Sequence, residues 1–204
     1  MISILDIGVS NIGSVQRMLE RLEVDTEIID KNAKLEKCDA IIIPGVGSFD
    51  QGIKRLRGFH SFNIIENKVL VEKVPVLGIC LGMQMMTNGS EEGTSPGLGW
   101  IAADTKKIIS ETHKIPNMGW RKIIYIAEKN STDIEYSEKY YFTHSYHVQC
   151  QDANDILMKT NEGIELVAAF KRNNIMGVQF HPEKSHQYGF KFFNTWIKSL
   201  RRGG

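Results

Sequence analysis

Cys80 lies in Val76-Leu77-Gly78-Ile79-Cys80-Leu81-Gly82-Met83-Gln84, an apolar run that ends in a cysteine with a glycine two positions to either side. This is a cysteine version of the nucleophile elbow G-x-S-x-G, which predicts a strand, a sharp strained turn and a helix. Such a turn pushes the sulfur out beyond the sheet edge, and the helix N-terminus beside it favours the thiolate, the reactive form. A thiolate nucleophile needs a base, and the base needs an orienting group. Among the six histidines, His181 has the best context. It closes the apolar run Met176-Gly177-Val178-Gln179-Phe180 and opens His181-Pro182-Glu183. Strand C-termini of a parallel sheet line one crevice, so a histidine at one strand end can meet a cysteine at another. Glu183 could hold the imidazole tautomer, and Pro182 stiffens the connection. Read alone, the triplet would be a strand end and a surface charge; the elbow upstream makes it a candidate base and orienter.

Acyl transfer also needs oxyanion donors. One is the amide of Leu81, just after the cysteine. Ile43-Pro44-Gly45-Val46-Gly47-Ser48, an apolar strand running into a glycine-rich turn, offers the second at Val46 or Gly47. A phosphate-loop reading of this turn lacks the following Gly-Lys-Ser/Thr.

The elements that must carry these residues follow from periodicity. Short apolar runs at Ile2–Ile7, Thr26–Ile29, Ala40–Ile43 and Val74–Ile79 predict strands. Ile12, Val15, Met18, Leu19 and Leu22 recur at helical spacing between Asn11 and Leu22, with Ser10 or Asn11 as N-cap. Phe49, Ile53 and Leu56 mark a second helix, and Ile64 to Val71 a third. Alternation of this kind predicts a mostly parallel central sheet flanked by helices, an α/β fold. Asn88 to Gly99 reads as a surface loop. Strands then dominate, at Ile101–Ile109, Arg121–Ile126, Tyr140–Val148, Leu166–Phe170 and Ile175–Phe180, so antiparallel strands are added in the second half. Tyr188–Leu200 closes the chain as a helix with Phe190, Phe193, Trp196 and Ile197 on its apolar face. Without repeats or linkers, residues 1–204 read as one domain.

The totals exclude several classes. A net charge of +1 gives no bulk attraction to nucleic acid or an acidic membrane. Three cysteines argue against a disulfide framework and for a reducing compartment. The N-terminus reads as a strand rather than a signal peptide, and no apolar run approaches a membrane span. A soluble cytoplasmic enzyme is the expectation.

Three blocks resemble the class I, triad-type glutamine amidotransferases: Pro44–Gly47, Gly78–Gln84 and Gln179-Phe180-His181-Pro182-Glu183-Lys184-Ser185. Asp6-Ile7-Gly8 with Asn11, Pro116-Asn117-Met118-Gly119-Trp120 and Tyr141-Phe142-Thr143-His144-Ser145-Tyr146 are similar to the glutaminase subunits of imidazole glycerol phosphate synthase. The resemblance spans nearly the whole chain. It implies a flavodoxin-like α/β fold, a Cys80-His181-Glu183 triad and no cofactor or metal. It implies that L-glutamine is held by Gly47 and Gln84, with Ser145 and Tyr146 at its amino-acid end. It further implies that ammonia passes to a (β/α)8-barrel cyclase/synthase subunit in a heterodimer of histidine biosynthesis. Asn11, Met118, Trp120 and Lys184 match positions facing that partner. The three catalytic blocks and their scaffold take up the 204 residues, so the acceptor site is expected on another polypeptide.

Ser10, Arg121 and Phe170-Lys171 depart from the family pattern. They leave open a paralogous glutaminase that feeds a different synthase, such as one amidating a surface sugar. A cysteine peptidase and a non-enzymatic binding module are the other classes; Gln84 and the intact triad disfavour each in turn. Cys38 and Cys150 read as small buried apolar residues. His144 and His147, three apart on one strand, would face opposite ways and hold no metal. Met83, Met85 and Met86 read as core, and Lys54, Arg55 and Arg57 as a solvated helix face.

Overall fold

The computed structural model describes residues 1–200 apart from Val9, Lys34, Glu36, Lys37, 127–137 and 161–162. The first half alternates as predicted: β1 (Ile2–Leu5), α1 (Ile12–Glu20), β2 (Thr26–Ile29), β3 (Ala40–Gly45), α2 (Phe49–Arg57), α3 (Phe62–Leu70), β4 (Val76–Cys80) and α4 (Leu81–Met85). In the second half come β5 (Ala103–Lys107), β6 (Asn117–Lys122), β7 (Ile124–Tyr125), β8 (Lys139–His144), β9 (Tyr146–Cys150), β10 (Ile156–Thr160), β11 (Leu166–Arg172), β12 (Ile175–Val178) and α5 (His186–Leu200).

Eight strands form one sheet in the order β2-β1-β3-β4-β12-β11-β10-β7. The strands from β2 to β12 in that order are parallel, and β11, β10 and β7 extend the sheet antiparallel. Every residue of β3 and β4 is buried. Parallel strands covered on both faces must be apolar throughout, which is why these segments read as continuous runs. One apolar layer packs Phe49, Ile53 and Leu56 of α2 against Leu81, Met83, Met85 and Met86. The opposite layer packs Val15, Met18 and Leu19 of α1 with Phe192, Phe193 and Trp196 of α5. On α5 it is Phe192, not Phe190, that is buried; Gly189, Phe192, Phe193, Trp196 and Ile197 follow the helical repeat. Phe190 instead lies under the Arg21 guanidinium, 5.3 Å from it.

The second half departs further from the expectation. Tyr140–Val148 is not one strand: it breaks at Ser145, and the two pieces serve different sheets. β8 pairs with β6, while β9 pairs with β5. The strand expected from Arg121 starts at Asn117, because Asn117–Lys122 faces Lys139–His144 residue for residue. β10 had no sequence signal: its Ile-Leu-Met-Lys-Thr lacks alternation and is recruited by pairing with β11 and β7. The 88–99 loop is surface-exposed, yet tied down. Asp50 accepts from the amides of Thr94 and Ser95, and Glu92 from that of Phe49. Arg57 donates to the Gly97 carbonyl and Arg55 to that of Ile7, so two of the three cations of that helix face are structural fasteners.

Candidate active site

Cys80 ends β4 with φ +53° and ψ −106°, a region that non-glycine residues rarely occupy. A residue held there costs roughly 1–3 kcal/mol and persists only where its surroundings dictate it. The dictation is steric. A Cβ on Gly82 would lie 1.8 Å from the Ile43 carbonyl oxygen, so only glycine lets α4 start directly against β3. β3 runs beside β4 with Gly45 opposite Cys80, which sets the Pro44–Gly47 turn next to the sulfur. In that turn Gly47 has φ +99° and open space where a Cβ would be, and Val46 is partly exposed. Leu81 is the first residue of α4. The three predicted oxyanion positions therefore flank Cys80 from two strand ends.

β12 pairs with β4 on the other side, Val178 opposite Ile79. Its continuation delivers His181, which is 1% exposed, to the same edge. His181 Nδ1 is 2.7 Å from Glu183 Oε1, whose side chain is 3% exposed. A short turn, Pro182–Lys184, holds the two residues together. Ser185 pins it: its hydroxyl donates to the His181 carbonyl (2.6 Å) and accepts from the Tyr141 amide (3.0 Å). Among the described residues, the buried His181 Nε2 and Glu183 Oε2 meet no hydrogen-bond partner. Burial alone would make His181 less basic, but the Cys80 and Glu183 side chains outweigh it and hold the ring's pKa well above its ordinary value. Cys38 and Cys150 lie elsewhere; burial raises both thiols, Cys150 to about 12.

Gln84 is buried, and its amide nitrogen donates to the Tyr146 carbonyl (3.2 Å) and to Gln179 Oε1 (3.1 Å). Gln84 thereby links the elbow to the β8–β9 break, where Ser145 and Tyr146 sit. His144 is a buried strand residue and not a metal ligand: Nδ1 bonds the Tyr146 carbonyl (2.7 Å) and Nε2 bonds Asn117 Nδ2 (2.9 Å). Among the described residues no cluster could hold a metal ion.

Of the four residues expected to face a partner, Met118 and Trp120 share β6, and Trp120 and Lys184 both meet Tyr141. Met118 and Trp120 are large, exposed apolar residues of β6. The Trp120 indole stacks on His186, with centroids 5.5 Å apart, and meets Tyr141 edge-on. The Lys184 ammonium lies 5.9 Å from the Tyr141 ring centroid. Asn11 holds the N-cap position of α1, with no side-chain capping bond among the described residues. Two residues missed from sequence join the site: Gln179 and Ser185. Both stand inside the His-Pro-Glu block, and only their contacts reveal what they do.

A cysteine on a strained elbow, a buried histidine-carboxylate pair and a glycine turn lie at neighbouring strand ends, the arrangement expected from the resemblance to triad-type amidotransferases. The class I glutamine amidotransferase family model matches residues 3–197, and the chain belongs to that family. It is 44% identical to imidazole glycerol phosphate synthase subunit HisH 2 of Methanococcus maripaludis, over 97% of this chain and 99% of that protein. It is 38% identical to the subunit of the same name in Pseudomonas aeruginosa, with the same coverage. The fold matches a solved glutamine amidotransferase with a TM-score of 0.75 at 15% identity, over 97% of this chain and 98% of that one. It also matches a chain in the structure of PurLQS from Thermotoga maritima with a TM-score of 0.73 at 19% identity, over 98% of each chain. No helix among the described residues is long and apolar enough to cross a membrane.

Proposed function

We propose that the chain is the glutaminase subunit of an imidazole glycerol phosphate synthase, releasing ammonia from L-glutamine for use by a partner. The observation that carries the chemistry is the buried His181-Glu183 pair, 2.7 Å apart, set at the strand end beside Cys80 and made more basic by both side chains. The thiolate of Cys80 attacks the carboxamide carbon, and charge gathers on the carboxamide oxygen. The Leu81 amide and the Val46–Gly47 turn flank that position and supply the oxyanion donors. His181, cationic at this stage, protonates the departing nitrogen through Nε2; ammonia leaves and a thioester forms. The now neutral ring takes a proton from water, which attacks the thioester and frees glutamate. Glu183 keeps Nδ1 protonated, so that Nε2 is the nitrogen that exchanges. Gly47 and Gln84 contact the glutamine, and Ser145 and Tyr146 hold its amino-acid end.

Ammonia set free in water would mostly protonate and lose its nucleophilicity. The Met118, Trp120 and Lys184 surface adjoins the turn carrying His181 and Glu183, and its exposed apolar side chains suit a docked protein. The partner proposed for it is a (β/α)8-barrel cyclase/synthase subunit. There the ammonia reacts with a phosphorylated ribulosyl intermediate to give imidazole glycerol phosphate and an aminoimidazole carboxamide ribotide, in histidine biosynthesis. The imidazole glycerol phosphate synthase names of the similar chains favour this acceptor over a sugar-amidating synthase. A cytoplasmic site of action and a single amidotransferase domain over residues 1–204 belong to the same reading. The test is incubation with a glutamine-analogue affinity label and mass spectrometry of the adduct, alongside glutamate release in the presence of the barrel subunit. Label on Cys80 and partner-dependent glutamate are expected. An unlabelled Cys80 together with cleavage of a peptide substrate would sink the proposal.

A further inference from the structure

The sulfur of Cys80 has a polar neighbour outside the triad. Gln179 is fully buried, two residues before His181, and its Nε2 points at Cys80 Sγ from 3.6 Å. Which end of a glutamine amide faces a neighbour must be deduced from its other contacts. Here the contacts leave one answer. Arg121 Nε can only donate, so the oxygen of Asn117 faces it at 3.0 Å and the nitrogen of Asn117 faces His144 Nε2. His144 Nε2 then accepts, and Nδ1 carries the hydrogen donated to the Tyr146 carbonyl. That carbonyl only accepts, so the second group facing it is the amide nitrogen of Gln84. The same nitrogen meets Gln179, which must present its oxygen; the nitrogen of Gln179 is left for the sulfur. The two runs of donors meet at the Tyr146 carbonyl, and from Gln84 the donor direction leads through Gln179 to Cys80.

A fixed donor at a sulfur acceptor favours the charged sulfur, because a hydrogen bond to the ionised form stabilises that form. His181 cannot supply this contact throughout the reaction, since it gives its proton to the departing nitrogen. We infer that Gln179 is a positioning residue for the nucleophile: its amide N–H steadies negative charge on Cys80 and holds the sulfur toward the substrate, in an orientation imposed by Gln84 and the Tyr146 carbonyl. The contact also joins the nucleophile to the β9 strand that carries Tyr146, so the sulfur and the amino-acid end of the substrate share one set of hydrogen bonds. The inference rests on the glutaminase reading for its substrate but not for its chemistry.

The test uses the full chain in two assays. Gln179→Glu is isosteric and keeps an acceptor for Gln84, but turns an acceptor rather than a donor to the sulfur. Alkylation of Cys80 by iodoacetamide at pH 7.5, without glutamine, is expected to slow about tenfold. Partner-stimulated kcat is expected to fall by a similar factor, with KM changed less than about twofold. Gln84→Met, which frees the Gln179 amide to turn, is the second variant; its alkylation should slow about threefold. Thermal unfolding establishes that each variant is folded. Wild-type alkylation rates in both folded variants would overturn the inference, as would a loss of kcat in Gln179→Glu with unchanged alkylation. If wild type alkylates as expected but releases no glutamate, the glutaminase reading fails while the alkylation comparison still decides the role of Gln179.

Discussion

The two sides of the site are built by different physics. On the elbow side, β3, β4 and β12 hold Cys80, the Pro44–Gly47 turn and His181 through parallel backbone pairing and close steric contact. Its side chains are apolar, and its tightest constraint is a glycine with no room for one more carbon. On the other side, the ends of β6, β8 and β9 are tied by side-chain hydrogen bonds: Arg121 to Asn117, Asn117 to His144, and His144 to the Tyr146 carbonyl. The first arrangement fixes a nucleophile rigidly. The second fixes it conditionally, through groups that protonation or a docked protein can disturb. The polar side lies on the β6 and β8 face, which also carries the exposed Met118 and Trp120.

The comparison can be broken most directly at the elbow. Cys80→Ala should lower glutamate release at least about a thousandfold without altering partner binding, as measured by coupled glutamate assay and by calorimetry. Residual turnover near wild type would place the nucleophile elsewhere. Gly82→Ala comes next. Its methyl meets the Ile43 carbonyl and must push α4 off β3, which should cost about 3–5 kcal/mol in denaturant unfolding. A mild effect would mean that the steric account of the elbow is wrong. On the polar side, Trp120→Ala removes an exposed ring from a stacked pair and should weaken partner affinity about thirtyfold while leaving the unfolding midpoint nearly unchanged.

The gentlest test is by pH. Burial lowers the His144 pKa to about 4 in the folded chain, against an ordinary value of 6.5. Between these values the unfolded chain binds a proton that the folded chain does not, so stability falls as pH falls. The loss from this one group approaches 1.4 kcal/mol per pH unit. His181 has the opposite sign: its raised pKa adds stability that is full below 6.5 and is lost progressively as pH rises from there to the folded value of about 10. His144→Gln should therefore flatten the stability profile between pH 6.5 and 4 and leave the alkaline side unchanged. Parallel profiles would remove His144 from the account.

The legibility of the two sides differs for the same reason. Runs such as Ile41–Ile43 and Val76–Ile79 are apolar at every position because both faces are covered, so β3 and β4 stood out in sequence, and with them Cys80. The break at Ser145 did not. Tyr140–Val148 alternates convincingly as one strand, and nothing local says that its halves pair with different partners. β10 was invisible because a five-residue strand with half-buried faces takes its conformation from β11 and β7.

The sequence by itself determined where the elbow at Cys80 and the His181-Pro182-Glu183 turn fall, because both are local solutions to local steric demands. It also determined the layers, through the spacing of apolar residues. Tertiary structure alone decided the rest. The Gln179 amide is turned toward the sulfur only because Gln84, Tyr146, His144, Asn117 and Arg121 converge from three separate stretches of chain. The basicity of His181 is likewise a property of the assembled site, where burial and the Cys80 and Glu183 side chains act in opposition. Hydrogen-bond direction and desolvation depend on what surrounds a group in three dimensions, and a linear pattern of residue types does not contain that information.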